Sequence, residues 1–133
     1  MRNIIRLLGM VFVLMVLTNC GKSLGEYNAK DYEGLSSVDA GKKVYHKTNC
    51  SNCHSIDGSD KVGGALKGIY LTMVSFEGGT ASKRDVNYLK DSILNPQNKI
   101  VKGRPNVMTS YKDVFKGREQ ELDYLIDYIK SLK

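Results

Sequence analysis

The sequence predicts a small all-α domain of three or more helices, because its apolar residues recur at helical spacing. The strongest repeat lies near the end of the chain, at offsets of 3, 4, 7 and 10 residues. The chain has 133 residues, 41% hydrophobic and 26% charged, which is enough for one globular domain plus a tail. The residues of this repeat are Leu122, Leu125, Ile126, Ile129 and Leu132.

Two further elements are predicted, a helix at the start of this domain and a hairpin later in it. Ser36 or Ser37 can cap a helix that begins at Val38, because a serine hydroxyl accepts hydrogen bonds from the free N–H groups of a first turn. Further on, residues 69–80 contain a Glu-Gly-Gly turn at 77–79, which predicts a minor β-hairpin.

The remaining helix is predicted in the second half of the chain. Residues 82–85, Ser-Lys-Arg-Asp, have the shape of a capping box. Val86, Leu89 and Ile93 then form one helical stripe. The helix should end at Asn95, since the residue before a proline disfavours helical backbone.

Residues 1–19 have the composition of a signal peptide. Arg2 and Arg6 precede an apolar run at 7–17, which is too short to span a bilayer comfortably. The run stops at Leu-Thr-Asn-Cys, which resembles the lipobox of bacterial lipoproteins and implies that Cys20 is acylated and becomes the first mature residue. The alternative is an uncleaved N-terminal anchor in which Cys20 has no role.

These features divide the chain into a signal peptide at 1–19, a lipidated flexible leash at 20–37 and a domain at 38–133. We therefore expect an exported protein, lipid-anchored on the outer face of the cytoplasmic membrane or in the periplasm. The alternative for the leash is an ordered extension that docks on the domain through its larger apolar side chains, Tyr27, Tyr32 and Leu35.

The charge is mildly basic and argues against some partners. Without Arg2 and Arg6 the formal net charge falls from +6 to +4. This suits an acidic protein partner or an anionic membrane surface. The lysines form no dense run, so nucleic acid is not expected as a partner.

The motif Cys50-Ser51-Asn52-Cys53-His54 indicates covalent attachment of a c-type haem. Two thiols at this spacing can add to the two vinyl groups on one edge of a porphyrin, and the following imidazole can then reach the iron. A thioredoxin-like motif would need a preceding strand. A structural zinc site would need two more ligands, and only His46 is available, which we expect on the surface.

Haem iron in such a site usually takes a sixth ligand, and a methionine sulfur raises its reduction potential. Outside the signal segment the candidates are Met73 and Met108. Met73 lies in an apolar stretch, where packing in the core is expected. Met108 lies in a turn-rich loop at 103–111 that can approach an open haem face, so it is the favoured ligand.

From about residue 38 to the end, the chain resembles a class I cytochrome c, and in particular the cytochrome domain fused to subunit II of some terminal oxidases. The resemblance implies a small cytochrome c fold around one covalent haem, with His54 and Met108 as axial ligands, and a helix at 41–45 that crosses the last helix near Leu125 and Tyr128. It is carried by the haem motif and by the segments at 41–45, 62–68, 92–96, 103–111 and 125–130.

The sequence departs from this family at two positions. Gly64 stands where the family often has proline, near the carbonyl that accepts the histidine ring N–H, so the loop should be looser. Thr109 follows Met108 where proline is usual, so the methionine loop should be more mobile. Arg104 is a candidate contact for the haem propionates, ahead of Tyr70 and Tyr111.

These features predict a single-electron carrier rather than an enzyme. Its expected partners are redox proteins of the respiratory chain, such as a terminal oxidase, reductase or dehydrogenase. One alternative is a haem peroxidase or gas sensor with a displaceable Met108, and another is a haem subunit fixed in a larger complex. Docking to an acidic partner is expected to use lysines around the haem edge, namely Lys61, Lys67, Lys99 and Lys102.

Overall fold

A computed structural model describes residues 27–133, and the predicted signal peptide and Cys20 lie outside the described residues. Within that range no helix combines the length and the hydropathy that crossing a bilayer requires. The described part contains four α-helices and one two-stranded antiparallel sheet, which confirms the predicted mostly helical class. In chain order the elements are α1 (Ser37–Lys47), β1 (Met73–Ser75), β2 (Ala81–Lys83), α2 (Val86–Leu94), α3 (Lys112–Phe115) and α4 (Glu119–Ser131).

Helix α1 begins where its serine cap predicts. Ser36 is the N-cap, and its hydroxyl accepts from the Asp39 backbone N–H at 3.1 Å. The Asp39 carboxylate also favours this end, because it lies at the positive pole of the helix dipole. At the other end the backbone N–H of Thr48 donates to the Val44 carbonyl and closes the last turn.

Helices α1 and α4 cross at a glycine, as the resemblance implies. A Cβ added to Gly41 would lie 1.9 Å from the carbonyl oxygen of Tyr124 and 2.6 Å from the Cβ of Tyr128. Any larger residue here would push the two helices apart. One turn later the rings of Tyr45 and Tyr128 pack with centroids 5.7 Å apart, so aromatic packing continues the contact.

Helix α2 has a different N-cap from the predicted one. Its cap is Asp85, whose carboxylate accepts from the Tyr88 N–H at 2.8 Å. The predicted capping box at 82–85 is therefore wrong, because Ser82 and Lys83 belong to strand β2 and pair with β1. The predicted end is confirmed, since α2 stops at Leu94 before the Asn95-Pro96 step.

The predicted hairpin is confirmed, but Met73 does not lie in the core. Met73 is 66% exposed, whereas Val74 is 4% exposed. The reason is the alternation of a strand, which sends successive side chains to opposite faces. Phe76 lies on the buried face with Val74, at 4% exposure.

The segment before α1 packs on the domain, whereas the sequence favoured a flexible leash as far as residue 37. Residues 29–32 form a short 3-10 helix, and the last of them, Tyr32, is buried. Its ring stacks on Tyr27, with centroids 6.1 Å apart, and contacts Tyr124 of α4. Leu35, the third residue considered for docking, is 44% exposed.

Candidate functional site

A cleft of about 330 Å³ opens between the haem-motif segment, α2, α4 and the loop before α3. It brings together residues from positions 45 to 129, so it exists only in the folded chain. Its apolar wall suits a flat, largely hydrocarbon ligand. That wall includes Leu66, Ile69, Leu89, Ile93, Leu125 and Ile129.

The Cys50–His54 motif lies directly after α1 in a tight helical turn. Asn49 adopts a left-handed backbone conformation, with φ of 59°, and turns the chain out of α1. A 3-10 turn covers Cys50–Asn52, and the His54 N–H donates to the Cys50 carbonyl at 2.9 Å. Cys50 and His54 both line the cleft.

The two cysteines are free thiols in different surroundings. Cys50 is partly buried, and its sulfur lies 3.2 Å from the Thr48 hydroxyl. Burial raises the pKa of the Cys50 thiol, so it stays protonated near neutral pH. Cys53 is exposed. Both line the cleft and neither is in a disulfide, so both sulfurs are available for bonding to a cofactor.

The His54 ring is oriented by the backbone of the following loop. Its Nδ1 lies 3.1 Å from the Gly64 carbonyl oxygen, which can only accept, so Nδ1 carries the proton. Burial lowers the pKa of His54, which keeps the imidazole neutral. Nε2 therefore retains its lone pair and can bind a metal ion. The Tyr45 hydroxyl also donates to the His54 carbonyl at 2.8 Å.

The loop backbone approaches the histidine so closely that Gly63 admits no side chain. A Cβ at Gly63 would lie 2.6 Å from His54 Cε1 and 2.8 Å from Nε2. The Gly63 N–H donates to the Cys53 carbonyl at 2.8 Å, which ties the loop to the motif. Gly64, with φ of +81°, turns the chain so that its carbonyl meets the ring.

Of the two methionines considered as ligands, the structure brings one to the cleft. Met108 lines it together with His54 and both cysteines. The Met108 side chain is partly buried against the core. Met73 lies on β1, exposed, and is not among the lining residues.

Arg104 also lines the cleft, but its guanidinium already has partners. Nη1 donates to the Lys61 carbonyl at 2.9 Å, and Nη2 donates to Asp60 at 2.7 Å. Tyr111 lines the cleft as well, and its hydroxyl donates to the Thr48 carbonyl at 3.0 Å. Tyr70 lies outside the lining, with the Lys130 ammonium over its ring.

Of the four lysines expected around the haem edge, one lines the cleft. Lys99 lines it, although its ammonium lies 3.5 Å from the carboxylate of Asp91. Lys61 donates to the Ser51 carbonyl at 2.6 Å, between the two cysteines of the motif. Lys67 and Lys102 are exposed.

The alternatives for the motif find little support in the fold. Cys50 follows a helix rather than a strand, unlike the cysteine of a thioredoxin-like motif. In residues 27–133 no group of three or more His, Cys, Asp or Glu side chains is placed to hold a metal ion. His46 is exposed on α1, as expected.

Two residues of the site were missed by the sequence analysis. Gln97 Nε2 donates to the Met108 carbonyl at 2.8 Å. Thr48 contacts the Cys50 sulfur and accepts from Tyr111. The Gln97–Met108 and Tyr111–Thr48 contacts join residues 11 and 63 positions apart, so no local sequence pattern could have indicated them.

A family model for cytochrome c matches residues 38–133, and the chain belongs to the cytochrome c family. Members of this family carry a covalently bound haem c, so the cofactor of this protein is one haem c, and its function is haem-based electron transfer. No curated protein sequence matches the chain closely.

The residues of the cleft fit that cofactor. Two free thiols, a neutral imidazole with a fixed tautomer and a thioether side chain line one apolar cavity. The close approach of Gly63 leaves no room for a side chain at that position against the His54 ring. Two cysteine thiols followed by a histidine are the groups that covalent attachment of a c-type haem uses.

Proposed function

We propose that Cys50 and Cys53 hold the haem through thioether bonds, and that His54 and Met108 bind its iron from opposite sides. Each thiol adds its S–H across one vinyl group, so one C–S and one C–H bond form and no oxidant is needed. The observation that carries the proposal is the His54–Gly64 hydrogen bond, which directs the lone pair to Nε2. Met108 is the thioether that shares the cleft with it.

With both axial positions filled, the protein works as a single-electron carrier and not as an enzyme. Bound haem supplies a reversible one-electron change at its iron. Met108 would hold the iron at the position that oxygen or peroxide needs, so the bound haem would have no open site for either reagent. Apolar residues of the cleft lower the polarity around the site, which together with a sulfur ligand favours a raised reduction potential.

Electrons then pass to and from protein partners through the exposed cysteine side of the site. Cys53 is exposed, and Lys61 lies beside Ser51 in the same motif. The lysines expected around the haem edge, namely Lys61, Lys67, Lys99 and Lys102, form the proposed positive rim. This rim supports weak, salt-sensitive docking to acidic redox proteins, such as a terminal oxidase, reductase or dehydrogenase.

The proposed location is the membrane surface, outside the cytoplasm, through a lipid on Cys20. Such an anchor confines the carrier to a local relay between membrane respiratory complexes. Expression of Cys20→Ala alongside the unaltered protein tests this location. Recovery of the haem protein in the membrane fraction for both would contradict lipidation at Cys20, whereas release of the variant alone would support it.

The axial ligands are tested by visible absorption of the haem-loaded protein in both oxidation states, with and without CO. We expect a low-spin spectrum, a weak far-red sulfur-to-iron band and no CO response. Met108→Ala should remove the band and admit CO, while Met73→Ala, the matched control, should change neither. A high-spin, CO-binding spectrum that Met108→Ala leaves unchanged would favour the peroxidase or gas-sensor alternative.

A fixed haem subunit of a larger complex is the other alternative, and purification distinguishes it. A carrier should leave mildly solubilised membranes as a single haem protein. Stoichiometric partners that persist at high salt would instead indicate a permanent subunit.

A further inference from the structure

The segment that carries Met108, residues 105–109, is joined to the rest of the domain by few hydrogen bonds. Among residues 27–133, a single hydrogen bond reaches this segment from outside: Gln97 Nε2 donates to the Met108 carbonyl at 2.8 Å. The segment's own bond, from the Val107 N–H to the Pro105 carbonyl at 3.0 Å, is a local turn.

Both ends of the segment are held firmly. Before it, the Arg104 N–H donates to the Val101 carbonyl at 2.9 Å. After it, the Ser110 hydroxyl donates to Leu94 at 2.6 Å and the Tyr111 N–H donates to Ile93 at 3.1 Å. The residues between these anchors therefore depend on the contact with Gln97 and on the packing of Met108 itself.

Nothing in the local sequence restricts this backbone at Thr109. A proline there would limit the preceding residue, Met108, to extended conformations, but threonine has no such effect. The Gln97 contact acts at the Met108 carbonyl, on the peptide bond that joins Met108 to Thr109.

The backbone of Gln97 is constrained by the turn in which it lies. It is the middle residue of a 3-10 turn at Pro96–Asn98, whose first residue is a buried proline. The Asn98 N–H closes this turn by donating to the Asn95 carbonyl at 3.0 Å. A carbonyl only accepts hydrogen bonds, so the amide must present its NH₂ group to Met108.

We infer that Gln97 is a positioning residue for the methionine ligand. Its amide fixes the Met108 backbone, which keeps the sulfur in place and slows its replacement by other ligands. The inference rests on the proposed function, because it assumes that Met108 binds the iron. Gln97 is not among the residues that line the cleft, so its effect is on ligand exchange through Met108.

The test uses two variants with the same chemical change on neighbouring residues. Gln97→Glu removes the NH₂ donor and places an oxygen against the Met108 carbonyl. Asn98→Asp makes the same amide-to-carboxylate change one residue later, on an exposed side chain that makes no hydrogen bond within residues 27–133. Gln97→Ala removes the donor without adding charge.

Imidazole is titrated into the oxidised holoprotein, and displacement of the sulfur ligand is followed by loss of the far-red band. We expect imidazole to bind Gln97→Glu about fivefold to tenfold more tightly than the unaltered protein. Gln97→Ala should move in the same direction, and Asn98→Asp should stay within about twofold of the unaltered protein. Circular dichroism checks that all four proteins are equally folded.

Two contrary outcomes are distinguishable. If the unaltered protein shows the sulfur-to-iron band but both Gln97 variants bind imidazole like Asn98→Asp, the positioning role is wrong and Met108 ligation stands. If the unaltered protein lacks the band, Met108 ligation itself is wrong, and the role of Gln97 falls with it.

Discussion

The hydroxyl of Tyr32 donates a hydrogen bond to the carboxylate of Glu121, joining residues 89 positions apart. Both are buried, Tyr32 at 5% exposure and Glu121 at 0%. The Lys47 ammonium lies 3.2 Å from the same carboxylate, and the Arg118 guanidinium contacts it from the start of α4. One buried carboxylate therefore ties the N-terminal segment to α1 and α4, on residues that do not line the haem cleft.

Removal of the Tyr32 hydroxyl should destabilise the fold without changing the haem site. We expect Tyr32→Phe to lower the free energy of unfolding by about 1–2 kcal/mol, because a buried carboxylate loses one of its donors. Tyr70→Phe is the matched control, since the Tyr70 hydroxyl makes no hydrogen bond within the described residues. Denaturant unfolding of the holoproteins measures both. An equal effect of the two substitutions would contradict the importance of the Tyr32–Glu121 contact.

The same contact should make stability depend on pH in the alkaline range. Burial, followed by the hydrogen bond to Glu121, raises the pKa of Tyr32. The folded state therefore holds the phenolic proton more tightly than the unfolded chain does. Stability from Tyr32 is complete below the ordinary tyrosine pKa of about 10 and is lost as the pH rises through the folded pKa.

The pH dependence is isolated by comparing the unaltered protein with Tyr32→Phe. We expect the difference in their unfolding free energies to shrink above about pH 10, by at most about 1.4 kcal/mol per pH unit. Loss of a haem ligand at high pH affects both proteins and cancels in the difference. A difference that stays constant between about pH 8 and 11 would show that the Tyr32 proton is not held by the fold.

The close approach of Gly63 to His54 predicts a strong effect of one methyl group. In Gly63→Ala the Cβ would lie 2.6 Å from His54 Cε1, so the imidazole or the loop must shift. We expect a lower yield of covalently bound haem and a loss of about 1–3 kcal/mol in stability, the usual range for overpacking. Haem content per protein and the low-spin absorption bands measure this.

Gly68→Ala is the control for Gly63→Ala. A Cβ at Gly68 has nothing within 4 Å, although its φ of +70° imposes backbone strain. This variant should lose some stability but keep its haem content and spectrum. A normal spectrum in Gly63→Ala together with an altered one in Gly68→Ala would contradict the steric explanation.

The proposed positive rim can be tested without a known partner. The rate at which the reduced protein reduces ferricyanide, an anion, should fall as ionic strength rises from about 0.01 to 1 M, because salt screens the attraction. Rates with a cationic cobalt complex should rise over the same range, and those with a neutral oxidant should stay level. The same slope for all three reagents would exclude steering by the charge of this surface.

Helices α1, α2 and α4 were predictable because their signals are local, whereas the one-turn helix α3 was not predicted. Ser36 and the stripe through Leu122, Leu125 and Ile129 act within one or two turns, and the structure has α1 and α4 at those places. The cap of α2 was not, because Ser82 and Asp85 both look like caps. Strand pairing of Ser82 with Val74 decided between them, and that contact is not local.

The candidate ligands also divide into those that local sequence indicates and those whose surroundings depend on contacts far along the chain. Cys50, Cys53 and His54 are adjacent in sequence, and their spacing alone indicates covalent haem attachment. The exposure of Met73 depended on which face of a short strand turned inward, and the packing of Tyr32 depended on a partner far along the chain.

The sequence by itself determined the cofactor class, the helices α1, α2 and α4 and the Cys50–His54 motif, because each depends on residues within a few positions of one another. The tertiary structure alone decided which side chains support the site. Gly64 meets His54, Gln97 meets Met108, and Tyr111 meets Thr48. These contacts join loops whose approach is set by the packing of α1, α2 and α4, and no local periodicity encodes such an approach.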